Sequence, residues 1–331
     1  MESKALGQTG LVVSRIGLGL AALGRPGYIN LGHSADLRGD LDIPLMESRA
    51  QAVLDVALES GVRYFDVARS YGRAEAFLAG WLALRKLSPG EVVVGSKWGY
   101  TYTAGWRVEA EKHEVKEHSI ANLRRQGAES RAILGDHLKL YQIHSATIES
   151  GVLDNLDVLK ELARLRGEGL KIGLSLSGPR QAETLRKALT IIIEGVRLFD
   201  VVQATWNLLE PSISPVLNQA HAAGMGVIVK EALANGRLTA RNDDPAFAAK
   251  RLALQAEADR QKTTLDALAI ASALAQPWAD VVLSGAATSE QLRSNLGASA
   301  IDWDDEASET LKPLAESPEA YWTTRSRMPW N

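Results

Sequence analysis

The sequence contains no cysteine and no long apolar run, and its charges nearly balance. Without cysteine the chain has no disulfide bonds, thiolate metal ligands or cysteine nucleophiles, which agrees with a reducing compartment. No stretch approaches the ~18 apolar residues that a membrane-spanning helix needs. The 37 Lys and Arg residues against 40 Asp and Glu residues give a net charge of −3. No basic excess is therefore available to neutralise nucleic-acid phosphates.

Signals for export, for linkers and for metal binding are also missing. Residues 1–10 have neither the basic nor the apolar region of a secretory signal, so we expect a cytoplasmic protein with a small-molecule partner. No Pro/Ser-rich linker divides the chain, and we expect one domain over residues 1–331. The six histidines show no H-x-x-x-H or H-x-H spacing, so we expect no metal. Nothing in the sequence indicates an oligomeric state.

What the chain does contain is a recurring unit of an amphipathic helix, a Gly or Pro turn and a short apolar run. Alternating helices and strands imply parallel strands that are buried on both faces. A count of eight strands favours a (β/α)8 TIM barrel, while an open doubly wound sheet stays the alternative from the pattern alone. The eight runs lie in segments 14–21, 57–68, 91–99, 133–145, 165–177, 193–206, 222–231 and 277–286.

One glycine pattern has to be weighed before the barrel is accepted. Gly17, Gly19 and Ala22 spell G-x-G-x-x-A, the pattern of the dinucleotide-binding turn of an open sheet. That turn must open a helix, whereas Pro26 and its neighbouring glycines break any helix here. We therefore place these glycines at the end of the first barrel strand. The segment 25–44 then forms a first βα loop that is too long for a mere connector.

Four titratable residues fall at the ends of three neighbouring strands, the edge at which barrel enzymes carry their chemistry. Asp66 ends the second strand, Tyr71 lies on the following loop, Lys97 ends the third strand and His144 ends the fourth. Taken singly, an Asp there can be a helix N-cap, and a Tyr or His can be core packing. A lysine in an apolar run needs an anionic partner, and Asp66 is the nearest candidate. Together the four residues indicate an active site.

Along nearly its whole length the sequence resembles the aldo-keto reductase family. The resemblance implies a (β/α)8 barrel that reduces carbonyl groups with a nicotinamide cofactor, and it places Asp66, Tyr71, Lys97 and His144 on the catalytic tetrad of the family. The segments that carry it are LGQTGLVVSRIGLG (6–19), FDVARSYG (65–72), GSKWG (95–99), YQIH (141–144), GLSLS (173–177), VVQATWN (201–207) and SGAATSEQLRSNLG (284–297).

Carbonyl reduction sets demands that these four side chains can meet. Hydride addition leaves negative charge on the carbonyl oxygen, so the site needs a proton donor and a stabilising field. We expect Tyr71 to be the general acid/base, with Lys97 lowering the pKa of its phenol from about 10. We expect Asp66 to hold Lys97 in place and His144 to orient the substrate oxygen as a neutral donor.

The resemblance also implies cofactor contacts. Gly19 and Leu20 correspond to the turn beside the nicotinamide, and Ser175 and Gln203 to residues that hydrogen-bond its carboxamide. Further contacts are implied for Lys230, Glu231, Leu233 and Asn235, and for Gly285, Gln291 and Asn295 at the adenosine end.

The chain departs from the family pattern at three places. Leu176 stands where an Asn usually contacts the carboxamide, and Lys230 stands where an aromatic ring usually stacks on the nicotinamide. Ala286 and its neighbours lack the Lys or Arg that often binds a 2′-phosphate. The usual cofactor preference of the family is therefore the sole ground for predicting NADPH, with NADH as the alternative.

The predicted function is an NAD(P)(H)-dependent oxidoreductase that reduces an aldehyde or ketone, or oxidises the corresponding alcohol or sugar lactol. One alternative is a cofactor-binding regulatory subunit of the same fold, and another is a barrel isomerase or lyase without nicotinamide. The aromatic tail 317–331 is expected to close over the substrate or to pack on the barrel wall. Candidate substrate contacts are Tyr28, His33, Trp98 and Trp206.

Overall fold

The computed structural model describes all 331 residues, and eight parallel strands close into a barrel. Seven strands lie inside the predicted segments, and the fourth extends one residue past its segment. The (β/α)8 prediction is therefore confirmed, and the open sheet is excluded. In chain order the strands β1 to β8 are Ile16–Gly19, Tyr64–Asp66, Val93–Trp98, Leu138–Ala146, Lys171–Leu176, Val201–Thr205, Gly226–Lys230 and Val281–Ser284.

Helices surround the barrel, and several begin at a capping side chain. Ser119, Asn155, Thr264, Thr288 and Ser317 each accept a hydrogen bond from a backbone N–H of the first helical turn. No helix combines the length and the apolar character needed to cross a membrane. In chain order the helices α1 to α12 are His33–Leu37, Ile43–Glu59, Ala74–Leu84, Ile120–Leu134, Leu156–Gly167, Gln181–Leu189, Ser214–Ala222, Ala248–Arg260, Leu265–Leu274, Ser289–Leu296, Asp305–Leu311 and Pro318–Arg327.

The N-terminal end of the barrel is closed by a short hairpin. Ser3–Ala5 pairs antiparallel with Val12–Ser14, and Leu6 in the connecting turn is fully buried. Leu6 packs with inward-facing apolar residues of the barrel strands, among them Tyr64 and Leu140. The strand residues alternate between this inner cluster and the outer layer under the helices. The barrel interior is therefore open at its C-terminal end alone.

Three segments rise over that open end. The loop after β1 contains α1, and α2 begins at Ile43, inside the predicted loop 25–44. After β3 a ribbon pairs Tyr100–Tyr102 with Glu114–Lys116. The tail carries α12 and then returns to the first loop. There Asn331 and Tyr28 exchange two backbone hydrogen bonds of 3.0 and 3.2 Å.

Candidate active site

A cavity of about 440 Å³ lies at the C-terminal ends of the barrel strands. Asp66, Tyr71 and His144 line its wall at one side, and the loop after β8 and helix α10 line it at another. Both charged side chains and apolar ones face it, the mixture expected for a site that binds and orients a small molecule. Three of the four predicted catalytic residues therefore line one cavity, and Lys97 is buried behind them.

Asp66 is the centre of a buried hydrogen-bond network. Its carboxylate forms an ion pair with Lys97 and accepts hydrogen bonds from Tyr64 Oη at 3.2 Å, Gln142 Nε2 at 3.4 Å and Gln203 Nε2 at 2.9 Å. All of these donors are buried. A carboxylate removed from water is stable only when its lone pairs are occupied, and here four donors occupy them. The network fixes Asp66 and, through it, Lys97.

Lys97 uses each of its three ammonium hydrogens. Its Nζ contacts Asp66 Oδ1, donates to the carbonyl oxygen of Val67 at 3.0 Å and donates to Tyr71 Oη at 3.4 Å. The side chain is fully buried. The partner that the sequence demanded for a lysine in an apolar strand is therefore Asp66, and the remaining donor points to the phenol of Tyr71.

His144 faces the same hydroxyl from the end of strand β4, where the strand is bulged. Ser145 has a positive φ of 51°, and the pairing of β4 with β5 shifts register between Ile143 and Ala146. Such a bulge turns a side chain out of the regular alternation. His144 Nε2 lies 3.5 Å from Tyr71 Oη, and its Nδ1 lies 3.4 Å from Ser70 Oγ.

The ionisation of Tyr71 differs from the expectation drawn from the sequence. Burial and then Asp66 raise the pKa of its phenol, while Arg25 opposes them. The expectation that Lys97 lowers this pKa below its ordinary value is thus not met, because burial is the largest effect and the carboxylates Asp66, Glu114 and Glu231 add to it. Tyr71 consequently keeps its proton over the neutral pH range.

His144 is neutral, as expected. Burial and then the charges of Lys97, Arg25 and Lys230 hold the pKa of its imidazole well below its ordinary value. A neutral imidazole has one donor and one acceptor nitrogen. If the Ser70 hydroxyl donates to Nδ1, Nε2 carries the hydrogen and points it towards the space beside Tyr71 Oη.

Ten of the eleven predicted cofactor residues line the cavity. The exception is Leu20, which is buried and whose backbone N–H donates to the carbonyl oxygen of Asp66 at 2.9 Å. Leu20 therefore ties β1 to β2 instead of facing a ligand. The ten lining residues are Gly19, Ser175, Gln203, Lys230, Glu231, Leu233, Asn235, Gly285, Gln291 and Asn295.

Two orphaned amide oxygens test whether a nicotinamide dinucleotide fits this lining. Asn235 Oδ1 and Asn295 Oδ1 are buried without a hydrogen-bond partner, although the amide nitrogens of both residues are bonded. A Cβ placed on Gly285 would meet no atom within 4 Å, so open space lies above it. Unsatisfied acceptors in a polar cavity can receive hydrogen bonds from a ligand with donors, and the amide and hydroxyl groups of a dinucleotide supply such donors. The residues fit this cofactor.

Lys230 takes part in a chain of charges at the end of β7. Its Nζ donates to Thr205 Oγ1 at 2.6 Å and lies 3.8 Å from Glu231 Oε1. Glu231 forms an ion pair of 2.8 Å with Arg325 of the tail. Burial lowers the pKa of Lys230 to about 8. Burial alone would raise the pKa of Glu231, but Arg325 and Lys230 lower it to about 2.

Three of the four predicted substrate residues do not line the cavity. His33 is buried in α1, outside the lining. Trp98 faces away from the barrel interior because it follows the inward-facing Lys97, and successive strand residues alternate. Trp206 packs edge-on against Trp278 with ring centroids 5.8 Å apart. These placements correct the sequence-based assignment.

Tyr28, the fourth predicted residue, lines the cavity beside residues that sequence reasoning missed. Arg25 and Trp330 also line it, as does Glu114 of the ribbon after β3. Gln142 was missed as a partner of Asp66, although a signal was present. It precedes His144 by two residues in an apolar strand, the spacing that places both on one face.

Glycines allow the first loop to approach the loop that carries Tyr71. A Cβ on Gly24 would lie 2.3 Å from the carbonyl oxygen of Tyr71, so the two backbones are in contact. Gly72 has a φ of +61°, which favours glycine, and a Cβ there would meet the carbonyl oxygen of Gly24 at 2.4 Å. This contact sets Arg25 directly over Tyr71.

Comparison with known proteins agrees with this geometry. Residues 15–316 match the model of the Aldo/keto reductase family. The chain is 26% identical to the NADH-specific methylglyoxal reductase of Escherichia coli (strain K12), over 96% of this chain and 100% of that protein. It is 25% identical to the pyridoxal 4-dehydrogenase of Microbacterium luteolum, over 98% and 96%. The fold superposes on the holo form of aldo-keto reductase AKR11C1 from Bacillus halodurans with a TM-score of 0.73, at 22% identity over 96% and 97% of the two chains.

Proposed function

The chain belongs to the aldo-keto reductase family, and on that premise we propose that it is a nicotinamide-dependent oxidoreductase that reduces an aldehyde or a ketone, or oxidises the corresponding alcohol or lactol. One observation carries the proposal. The hydroxyl of Tyr71 lies 3.4 Å from Lys97 Nζ and 3.5 Å from His144 Nε2, on a cavity whose other side presents orphaned acceptors.

The protein supplies the proton and the electrostatic field for the reaction. A bound nicotinamide cofactor supplies the hydride chemistry. His144 Nε2–H donates to the carbonyl oxygen and orients it towards Tyr71 Oη. As negative charge develops on that oxygen, Tyr71 gives up its proton, and the ammonium of Lys97 stabilises the resulting phenolate. Asp66 keeps Lys97 charged and aimed at the phenol.

The raised pKa of Tyr71 is compatible with this role. An alkoxide of a simple alcohol is a stronger base than a phenolate, so proton transfer from Tyr71 runs downhill once the hydride has been added. In the reverse direction the substrate hydroxyl donates to the phenolate form of Tyr71, which the ammonium of Lys97 stabilises. Burial therefore keeps Tyr71 protonated until negative charge develops on the substrate oxygen.

The relatives support a carbonyl substrate and leave the choice of cofactor as part of the proposal. One is named for methylglyoxal and another for pyridoxal, both carbonyl compounds, and the first is named as NADH-specific. The preference for NADPH stays a prediction. The cavity lining at α10 gives it no support, because Glu290 lies on the wall and Arg293 does not.

The experiment that tests the proposal is a titration of the protein with NADH and, separately, with NADPH. Binding is followed by the emission of its eight tryptophans, and turnover is then measured with small aldehydes. Tyr71→Phe is the matched variant. We expect it to keep the cofactor Kd within about twofold and to lose at least about 10²-fold in kcat, because the transition state alone needs the proton.

Each contrary outcome identifies an alternative. Binding of a cofactor without turnover of any carbonyl compound would indicate a cofactor-binding regulatory subunit. Failure to bind either cofactor would indicate a barrel isomerase or lyase. Full activity of Tyr71→Phe would contradict the assignment of the proton donor.

A further inference from the structure

Arg25 occupies a position beside Tyr71 that the reaction described above does not use. Its side chain is only 4% exposed, yet it lines the cavity. Its guanidinium carbon lies 5.2 Å from the ring centroid of Tyr71, 5.5 Å from that of Tyr28 and 4.7 Å from that of Trp330. Three aromatic faces thus enclose a cation at the mouth of the candidate active site.

The hydrogen bonds of this guanidinium use Nη1 and leave the edge formed by Nε and Nη2 without a partner. Nη1 makes both of them, with the carbonyl oxygen of Ser70 at 3.0 Å and with Glu114 Oε2 at 2.9 Å. Nε is buried and has no acceptor, and Nη2 makes no hydrogen bond. Nε–H and one N–H of Nη2 point in parallel from the same edge, the geometry with which arginine binds a planar carboxylate through two bonds.

The charges around the site favour an anion there. The groups that act most strongly on the imidazole of His144 are cations, namely Lys97, Arg25 and Lys230. The nearby carboxylates are already engaged, since Asp66 accepts from four donors and Glu231 pairs with Arg325. Glu114 occupies the Nη1 side of Arg25 and leaves the opposite edge unopposed.

We propose that the Nε/Nη2 edge of Arg25 binds a carboxylate of the substrate, so that the preferred substrates are carbonyl compounds that also carry a carboxylate. This inference rests on the proposed function and names its substrate class. The two parallel donors of this edge match the two oxygens of a planar carboxylate. Because Arg25 lies over Tyr71, a short spacer separates the carboxylate from the reacting carbonyl.

The test compares two aldehydes of matched length, succinic semialdehyde and butanal, in the wild type and in two variants. Arg25→Met removes the charge, and Arg25→Lys keeps the charge without the two-donor edge. We expect Arg25→Met to lower kcat/KM for succinic semialdehyde about 100-fold, mainly through KM, and to change the value for butanal less than about threefold. Arg25→Lys should regain no more than about a tenth of the kcat/KM that Arg25→Met loses for succinic semialdehyde, because an ammonium cannot form the paired bonds.

Two controls separate substrate binding from a structural role. Glu114→Gln removes the other partner of Arg25, and we expect it to keep the preference for succinic semialdehyde. The melting temperature and the cofactor Kd of each variant show whether the substitution disturbs the first βα loop. Equal losses for both aldehydes in Arg25→Met would overturn the proposal, since Arg25 would then only hold the first loop on Tyr71. A stronger preference for glycolaldehyde phosphate than for succinic semialdehyde would also overturn it.

A binding measurement tests the carboxylate site independently of the proposed reaction. The cofactor-free protein is titrated calorimetrically with benzoate and with neutral benzamide. We expect benzoate to bind the wild type and Tyr71→Phe alike, and to bind Arg25→Met at least about tenfold more weakly. If no carbonyl compound is turned over but benzoate binds through Arg25, the proposed function fails while the carboxylate site stands. If benzoate binding is lost in Tyr71→Phe and kept in Arg25→Met, the site proposal fails.

Discussion

At the scale of single residues, the buried pair of Asp66 and Lys97 organises the site. Neither charge is exposed, and each is held by the other and by neutral groups. A buried ion pair contributes little net stability, but removing one partner leaves the other charge uncompensated. The pair therefore acts chiefly to aim an ammonium at Tyr71. Removing one partner should lower the free energy of unfolding.

Lys97→Met should destabilise the protein by about 3–5 kcal/mol, because it leaves the carboxylate of Asp66 buried without a counter-charge. The double variant Lys97→Met with Asp66→Asn should be clearly more stable than Lys97→Met alone, since no net charge then remains buried. Urea denaturation of the wild type, both single variants and the double variant measures this coupling. Additive free energies of unfolding would show that the two side chains do not interact.

The sequence was sufficient for this pair and insufficient for its surroundings. A lysine within an apolar strand demands a partner, and the strand ends show where that partner lies, so Asp66, Lys97 and His144 could be found by local reasoning. Arg25 could not, because its partners Glu114 and Trp330 come from segments far apart in the chain. The raised pKa of Tyr71 was missed because burial is its largest cause, and the sequence does not show how deeply a loop residue is enclosed.

At the scale of elements, the first loop and the tail hold each other over the mouth of the barrel. Tyr321 in α12 is buried and accepts a hydrogen bond from Asn207 Nδ2 at 3.0 Å. Trp330 stacks on His113 of the ribbon after β3, with ring centroids 4.1 Å apart and planes inclined by 4°. The sequence indicated an aromatic tail but left open whether it covers the mouth or the barrel wall, because it could not show which rings it would meet.

Truncation after Pro329 should loosen the first loop, since it removes both Trp330 and the two backbone bonds of Asn331 to Tyr28. We expect trypsin to cleave several-fold faster after Arg38, an exposed residue of that loop. Cleavage after Lys86, an exposed residue beyond α3, serves as the internal control and should keep its rate. Mass spectrometry of a digestion time course gives both rates. Unchanged cleavage at Arg38 would show that the tail does not restrain the loop.

At the scale of the whole molecule, buried neutral histidines set the response to acid. Burial lowers the pKa of His33 to about 4, and burial together with Lys116 lowers that of His118 to about 4. The pKa of His144 is also well below its ordinary value. The unfolded chain binds protons at these residues below about pH 6.5, whereas the folded chain does not. The stability that these three neutral histidines contribute is therefore fully present above about pH 6.5 and is lost as the pH drops towards 4.

Urea denaturation between pH 7.5 and 4.5 should show this loss. Each of the three histidines adds up to about 1.4 kcal/mol per pH unit to the slope of the free energy of unfolding. His118→Asn should remove about one histidine's share, because an amide does not titrate. Carboxylates with lowered pKa values, such as Glu231 at about 2, act chiefly below about pH 5.5, so the slope between pH 7.5 and 5.5 reports on the histidines. An unchanged slope in His118→Asn would contradict the assignment.

The hairpin plug at the N-terminal end has a consequence for kinetic order. Because Leu6 closes that end, everything that reaches the barrel interior passes through the same opening. Ser175 and Gln203 lie deep and are 1% exposed, while Trp330 stands at the rim. A molecule that binds against Ser175 and Gln203 must therefore enter before a molecule that binds against Trp330. It must also leave after that molecule. Binding and release then follow a fixed order, and the inner molecule leaves last.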